Sequence, residues 1–265
     1  MLLAAKQDSP HKMKTVVLSD VHLNVSTYGQ LQLLEFTKFL KGLQSDKVDR
    51  LILLGDLFDF WFEYKHVVFS EYFHILRALA DLNEHGVKLH FICGNHDFWA
   101  GRFLEQYLGF TIHPDGVRLP FGNRTALLIH GDGINKKDRG YRLYKRMAKA
   151  RAAVWLFRLL HPDLAMGIAK RVSRSSRRFS SRTNPENGSE AAALREFAKD
   201  CLSRGDTQVV ICGHAHSPTC EQYPTPNGLG LYINTGDWMY HRSYVEWDGQ
   251  EFKLICPRPG STPTR

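Results

Sequence analysis

The sequence predicts an α/β fold in which parallel strands deliver carboxylates and imidazoles to one edge of a sheet. Three observations carry this. Short apolar runs stop abruptly at a glycine or an acid, as in Leu51-Ile-Leu-Leu-Gly-Asp-Leu-Phe-Asp59, and runs this short and apolar read as strands buried on both faces. Segments of helical spacing separate them, the strand-helix-strand pattern of a parallel sheet. The residues just beyond each run are able to bind a cation, and open α/β sheets place their chemistry at the carboxyl ends of their strands.

Thr15 to Ser19 is the first strand and ends in Asp20-Val21-His22. Side chains one residue apart on an extended chain point the same way, which suits one ion. Tyr28 to Leu43 is a helix, with Leu31, Leu34, Phe36, Phe39, Leu40 and Leu43 in step. The second strand delivers Asp56 and Asp59, and the later carboxylate could equally cap a helix or stand behind the ligands. Phe58, Phe60, Trp61, Phe62 and Tyr64 suit a core.

Glu71 to His85 reads as a helix closed by Gly86, and Val87 to Cys93 as the third strand. It delivers Gly94-Asn95-His96-Asp97, in which Asn95 offers a neutral oxygen, His96 a proton and Asp97 a partner to orient the imidazole. Leu119 to Arg124 carries turn residues between two extended pieces, and Ala126 to Ile129 ends in His130-Gly131-Asp132. Ser189 to Ser203 is helical, and Gln208 to Cys212 is a strand delivering Gly213-His214-Ala215-His216. Gly230 to Asn234, Tyr244 to Trp247 and Glu251 to Cys256 read as antiparallel sheet, the last two joined by the hairpin signal Asp248-Gly249.

Length and composition bound the rest. With 265 residues, 43% of them hydrophobic, the chain can bury one substantial core. One domain over 15–265 is expected, with a loosely ordered leader over 1–14 and a disordered tail from Pro257. Five cysteines without a C-x-x-C pair favour a reducing interior. No run approaches the roughly 20 apolar residues of a spanning helix. The formal net charge is +8, yet Arg139 to Arg182 holds thirteen Lys/Arg and one acid, +12, leaving −4 for the remainder.

Five strand ends therefore carry cation ligands: Asp20/His22, Asp56/Asp59, Asn95/His96, His130 and His214/His216. The set lacks thiolate, which suits Mn, Fe, Zn or Mg in a catalytic site, Mn being the first choice here, and argues against a closed structural zinc site. There are too many ligands for one ion. Two ions sharing a carboxylate, about 3.5–4 Å apart, are expected.

The ordered series Asp20-x-His22, Gly55-Asp56-x-x-Asp59, Gly94-Asn95-His96-Asp97, His130 and Gly213-His214-x-His216 resembles the calcineurin-like metallophosphoesterase superfamily. That resemblance implies a four-layer αββα sandwich. It assigns one ion to Asp20, His22, Asp56 and His216, and the other to Asp56, Asn95, His130 and His214, with Asp56 bridging. His96 then stabilises or protonates the leaving side, oriented by Asp97.

The basic segment interleaves charge with bulky apolar residues, including Tyr141, Leu143, Tyr144, Met147, Trp155, Leu156 and Leu159. Beginning nine residues after His130, it is expected to form a helical cap insertion, about 139–188, over the metals. It reads as a surface for a membrane or an anionic amphiphile, with a solvated basic helix pair or a nucleic-acid patch as alternatives. The acidic remainder speaks against nucleic acid.

A closer resemblance is to the UDP-2,3-diacylglucosamine hydrolases of lipid A synthesis. It is carried by Gly55-Asp56-Leu57-Phe58-Asp59-Phe60-Trp61, Gly94-Asn95-His96-Asp97-Phe98, His130-Gly131-Asp132 with Asp138 and Gly140-Tyr141, and the Arg/Ser-rich run Arg171 to Arg182. It implies hydrolysis of a UDP-sugar pyrophosphate, an anionic lipid-linked substrate, releasing UMP and the diacylated sugar phosphate; composition adds the expectation of a cytoplasmic protein peripheral on the inner face of the membrane. Asn95, Asp138, Tyr141, Arg171, Arg174, Ser175 and Arg178 become candidates for headgroup and phosphate contacts. His96 stands where well-studied members carry Arg, and Asn234 to Trp238 also departs, which marks a divergent branch. Another metal-dependent phosphodiesterase or phosphatase acting on a nucleotide or phospholipid, and a non-catalytic scaffold, stay open as alternatives. A scaffold would show a missing ligand, and none is missing.

Overall fold

The computed structural model describes residues 13–24, 29–168 and 188–257. In chain order it contains β1 (Thr15–Leu18), α1 (Gly29–Ser45), β2 (Arg50–Leu53), α2 (Phe73–Glu84), β3 (Lys88–Ile92), α3 (Arg102–Leu108), β4 (Phe110–His113), β5 (Val117–Phe121) and β6 (Arg124–Ile129). There follow α4 (Arg139–Ala148), α5 (Arg151–Arg158), a helical stretch over 162–168, and α6 (Ser189–Ser203). The chain then forms β7 (Val209–Cys212), β8 (Thr219–Thr225), β9 (Gly228–Asn234), β10 (Tyr244–Trp247) and β11 (Phe252–Ile255).

Two mixed sheets result, ordered β11-β10-β1-β2-β3-β4 and β5-β6-β7-β9-β8. β1 to β4 run parallel, as do β6, β7 and β9, so their carboxyl ends share a direction within each sheet. Alternation along the strands sets the layers, because successive side chains point to opposite faces. Val17, Ile52, Ile92, Leu128, Ile211 and Ile233 meet in a core between the sheets. Their neighbours Val16, Leu51, Leu53, Leu89 and Phe91 face away, against α1 and α2. Leu127, Val210 and Cys212 face the other way, against α6. The order is helix, sheet, sheet, helix, the expected four-layer sandwich. Each fully buried branched side chain in that middle layer contributes about 1.5–3 kcal/mol.

Several elements differ from the sequence reading. The second helix opens with a 3-10 turn, Ser70–Tyr72, before α2. The sequence reading does not contain α3, β4 or β8. α3 has seven residues, about two turns; β8 alternates half-buried with exposed residues and carries Pro224, tolerated because it is an edge strand. The signal for β8 is the two-residue turn Pro226-Asn227, closed by Thr225 opposite Gly228. The expected leader reaches the described residues at 13 and 14, and Lys14 is fastened there, its backbone N donating to Asp49 Oδ2 at 2.6 Å. Most of the expected tail, Tyr28, and Arg171, Arg174, Ser175 and Arg178 lie outside the described residues.

Candidate metal centre

The loops after β1, β2, β3, β6 and β7 bring the predicted ligands to one place. Asp20, His22, Asp56, His214 and His216 all take left-handed backbone conformations, with φ of 53°, 49°, 53°, 65° and 53°. Outside glycine, such conformations cost about 1–3 kcal/mol each and persist only where the surroundings enforce them. Here a lattice of backbone hydrogen bonds does so. Asp20 N donates to Gly55 O at 3.1 Å, His22 N to Asp56 O at 2.9 Å, Gly213 N to His130 O at 2.9 Å, and Trp238 N to Asp20 O at 3.1 Å. Close approach explains two of the glycines. A Cβ on Gly94 would lie 2.2 Å from Asp56 Oδ1, and one on Gly213 would lie 2.3 Å from Ser19 Oγ.

The resulting distances are those of a ligand cage. His216 Nε2 lies 3.2 Å from Asp20 Oδ1 and 3.3 Å from His22 Nε2, which is itself 3.8 Å from Asp56 Oδ2. His130 Nε2 lies 3.4 Å from Asp56 Oδ2 and 3.1 Å from Asn95 Oδ1. Asp56 stands between the two groups, as a shared ligand should. The His214 ring lies edge-on to His130, centroids 5.1 Å apart. His130 Nδ1 donates to Leu54 O at 2.6 Å, which fixes its proton there and turns Nε2 toward the cage.

Whether these residues fit divalent cations can be tested on the geometry. Asp20 is fully buried, and its Oδ1 receives no well-formed hydrogen bond. Neither Asp20 nor Asp56 is paired with Lys or Arg among the described residues; their neighbours are imidazoles. Two buried carboxylates with only neutralisable partners are a site built for a cation. The residues fit.

Electrostatics agree. Burial opposes charge on Asp20, yet His216 and His22 hold its carboxyl well below the usual range. Burial likewise works against charge on His22, but Asp20, Asp59 and Asp56 raise its pKa to about 10. His130 is raised well above its ordinary value, Asp56 outweighing burial. Burial, then the charge of His130, lowers His214 to about 4, leaving it neutral and ready to bind. Without metal, protons on His22 and His130 neutralise the carboxylates. A cation must displace them.

A family model for calcineurin-like phosphoesterases matches residues 13–218. The chain belongs to that family. Membership in the calcineurin-like phosphoesterases implies hydrolysis at phosphorus and divalent metal ions, and the cage described above can hold them. Two curated relatives align along nearly the whole chain. A UDP-2,3-diacylglucosamine hydrolase of Edwardsiella ictaluri is 30% identical over 254 residues, 92% of this chain and 92% of its own. One of Porphyromonas gingivalis is 28% identical over 258 residues, 92% of this chain and 97% of its own.

Other predicted residues of this phosphoesterase are placed differently from expectation. Asp97 does not orient His96. Its buried carboxylate turns inward, accepting from three clustered backbone donors, Gly94 N at 2.9 Å, Asp56 N at 3.2 Å and Leu57 N at 2.8 Å. His96 Nδ1 instead donates to Asp59 O at 2.8 Å, leaving Nε2 3.9 Å from Asp56 Oδ2. The Asp59 carboxylate stands behind the ligands, 3.5 Å from His22 Nδ1.

Asp138 and Tyr141, expected to contact substrate, are engaged within the protein. Asp138 caps α4, accepting from Tyr141 N at 2.9 Å, and the Tyr141 hydroxyl donates to Asp132. Asp132, to which the sequence reading gives no role, also pairs with Lys145 at 2.6 Å. It thereby fastens α4 two residues from His130; only its place in His130-Gly131-Asp132 could have signalled this. Trp99 Nε1 donates to Ala148 O at 3.1 Å, and Phe157 packs on Phe62 and Trp99 at 4.8 and 5.1 Å, so α4 and α5 rest on the loops beyond Asp56 and His96.

Proposed function

We propose that this chain hydrolyses the pyrophosphate bond of UDP-2,3-diacylglucosamine, giving UMP and 2,3-diacylglucosamine 1-phosphate. One observation carries the reading: a cation cage at the strand ends lies beside helices that are both basic and apolar. Its support is the 92% coverage by hydrolases named for that substrate.

Asp20, His22, Asp56 and His216 hold one cation in this proposal, and Asp56, Asn95, His130 and His214 the other, with Mn the first choice. Such a pair, when bound, supplies charge stabilisation at the phosphoryl oxygens and an ionised water near neutral pH. His96, its ring set by the Asp59 carbonyl, presents Nε2 to the departing phosphate oxygen and stabilises or protonates it. Asn95 also meets the substrate phosphate.

The insertion over about 139–188 is the proposed cap, within one domain over 15–265. Its side chains Leu143, Met147, Trp155, Leu156 and Leu159 are each about 60% exposed or more, the last at 65%. With Arg142, Arg146 and Arg151 among them, this surface suits acyl chains and an anionic membrane, and we place the protein peripherally on the cytoplasmic face. No helix among the described residues is long and apolar enough to cross a membrane. Arg171, Arg174, Ser175 and Arg178 are the proposed phosphate contacts of the cap, with Asp138 and Tyr141 positioning its first helix.

The test is release of UMP by the Mn-loaded protein from UDP-2,3-diacylglucosamine, its short-chain analogue and the unacylated UDP-sugar, beside a His96→Ala control. Turnover that rises with chain length and collapses in the control is expected. Equal turnover of all three would remove the acyl-binding cap from the proposal. The second reading, a different phosphodiester, is favoured by His96 standing in the place of Arg, and turnover of a generic phosphodiester alone would select it.

A further inference from the structure

A cavity of about 600 Å³ lies between the loop over 63–68, α3 and the end of α5, and none of the cage residues lines it. Lys65, His66, Arg102 and Arg158 surround it. Glu63 is the one acid in its wall, and both its oxygens are occupied by backbone donors, Gly101 N at 2.8 Å and Phe103 N at 2.9 Å. Lys65, Arg102 and Arg158 have no carboxylate partner among the described residues, and the Arg158 guanidinium lies over the Phe62 ring at 6.0 Å. Arg102 is steadied by donating from Nε to Gln106 Oε1 at 3.0 Å, which leaves its terminal nitrogens for a ligand.

Cations that converge from separate elements without a counter-ion repel one another, and an anion between them relieves the repulsion. Two guanidinium forks match phosphate oxygens in geometry as well as charge. The volume falls within the range of about 300–1,000 Å³ typical of small-ligand pockets, so it admits a phosphate carrying a further organic group. We infer that this cavity binds a phosphate group, distinct from the one at the metal centre. The source is a free phosphate ester or an anionic lipid headgroup. Because Arg158 belongs to α5 and Arg102 to the body, an occupant also ties α5 down. The inference stands independently of the proposed reaction, since occupancy is measured without turnover.

Equilibrium dialysis of the metal-loaded protein with inorganic phosphate tests it, together with hydrogen exchange across 151–158. Two classes of phosphate site are expected in the wild type, one at the metals and one here. Arg102→Gln/Arg158→Gln should keep the first and weaken the second by about tenfold or more per arginine, with hydrolysis of a small generic phosphodiester and the melting temperature unchanged. Phosphate should slow exchange in α5 of the wild type but not of the variant. Identical isotherms for the two proteins, or exchange in α5 indifferent to phosphate, would overturn the assignment. Phosphatidylcholine vesicles with and without phosphatidic acid separate the sources. Binding that needs phosphatidic acid and is lost in the double variant identifies a headgroup; unchanged vesicle binding beside lost phosphate binding identifies a free ester.

Discussion

Replacing Asp97 by Asn separates two roles that this carboxylate could have. Its Oδ1 accepts two backbone N–H groups and its Oδ2 one, the shortest bond being 2.8 Å to Leu57 N. An amide keeps only one oxygen. With nitrogen turned toward Leu57, one bond is lost and two donors confront each other; the opposite flip loses two. Losing one bond to a charged acceptor, and reducing the survivors to neutral strength, costs together about 3 kcal/mol. That is a large part of the roughly 5–15 kcal/mol by which a domain is stable.

Burial, with the charge of Asp56 behind it, holds the Asp97 carboxyl up at about 7. The comparison belongs on the alkaline side of that value, where the wild-type group is ionised and accepts all three bonds; because the raised pKa makes ionisation itself cost stability, the deficit of the variant narrows as pH rises through about 7. Urea unfolding, metal titration and the pH profile of kcat are the readouts. The unfolding midpoint should fall and metal affinity weaken, because the Asp56 loop loses its anchor, while the profile keeps its shape. A variant with wild-type midpoint and metal affinity but an altered profile would refute this reasoning and return Asp97 to the role of orienting His96.

The cage leads to two more expected outcomes. Gly94→Ala places a Cβ 2.2 Å from Asp56 Oδ1, so the loop must shift at a cost of about 1–3 kcal/mol, and calorimetric titration should show weakened metal binding even where the fold survives; unimpaired binding would mean that the loops are looser than described. Metal affinity should rise with pH across the neutral range, by up to about tenfold per pH unit for each proton displaced, because His22 stays protonated up to about 10 in the metal-free protein. Titration in buffers of different ionisation enthalpy counts the protons released, and an affinity independent of pH would contradict the charge arrangement.

The sequence by itself determined the α/β class and the strands whose ends carry the candidate metal ligands. Buried parallel strands are written as uninterrupted apolar runs, and the abrupt change at Gly55-Asp56 or Gly213-His214 needs no neighbour to be visible. The family resemblance, rather than spacing, implied that Asp56 is shared. Only the tertiary structure decided which atoms face one another. Asp97 is the next residue after His96, and adjacency suggests a pair, yet the turn sends its carboxylate inward to three backbone donors. Asp138 and Tyr141 are legible as polar residues near the site, but their partners, each other and Asp132, are set by how α4 folds back. β8 is hidden because an edge strand with one wet face has no apolar run to announce it. The cavity beside α5 combines Lys65, Arg102 and Arg158, residues far apart in the chain, which packing alone brings together.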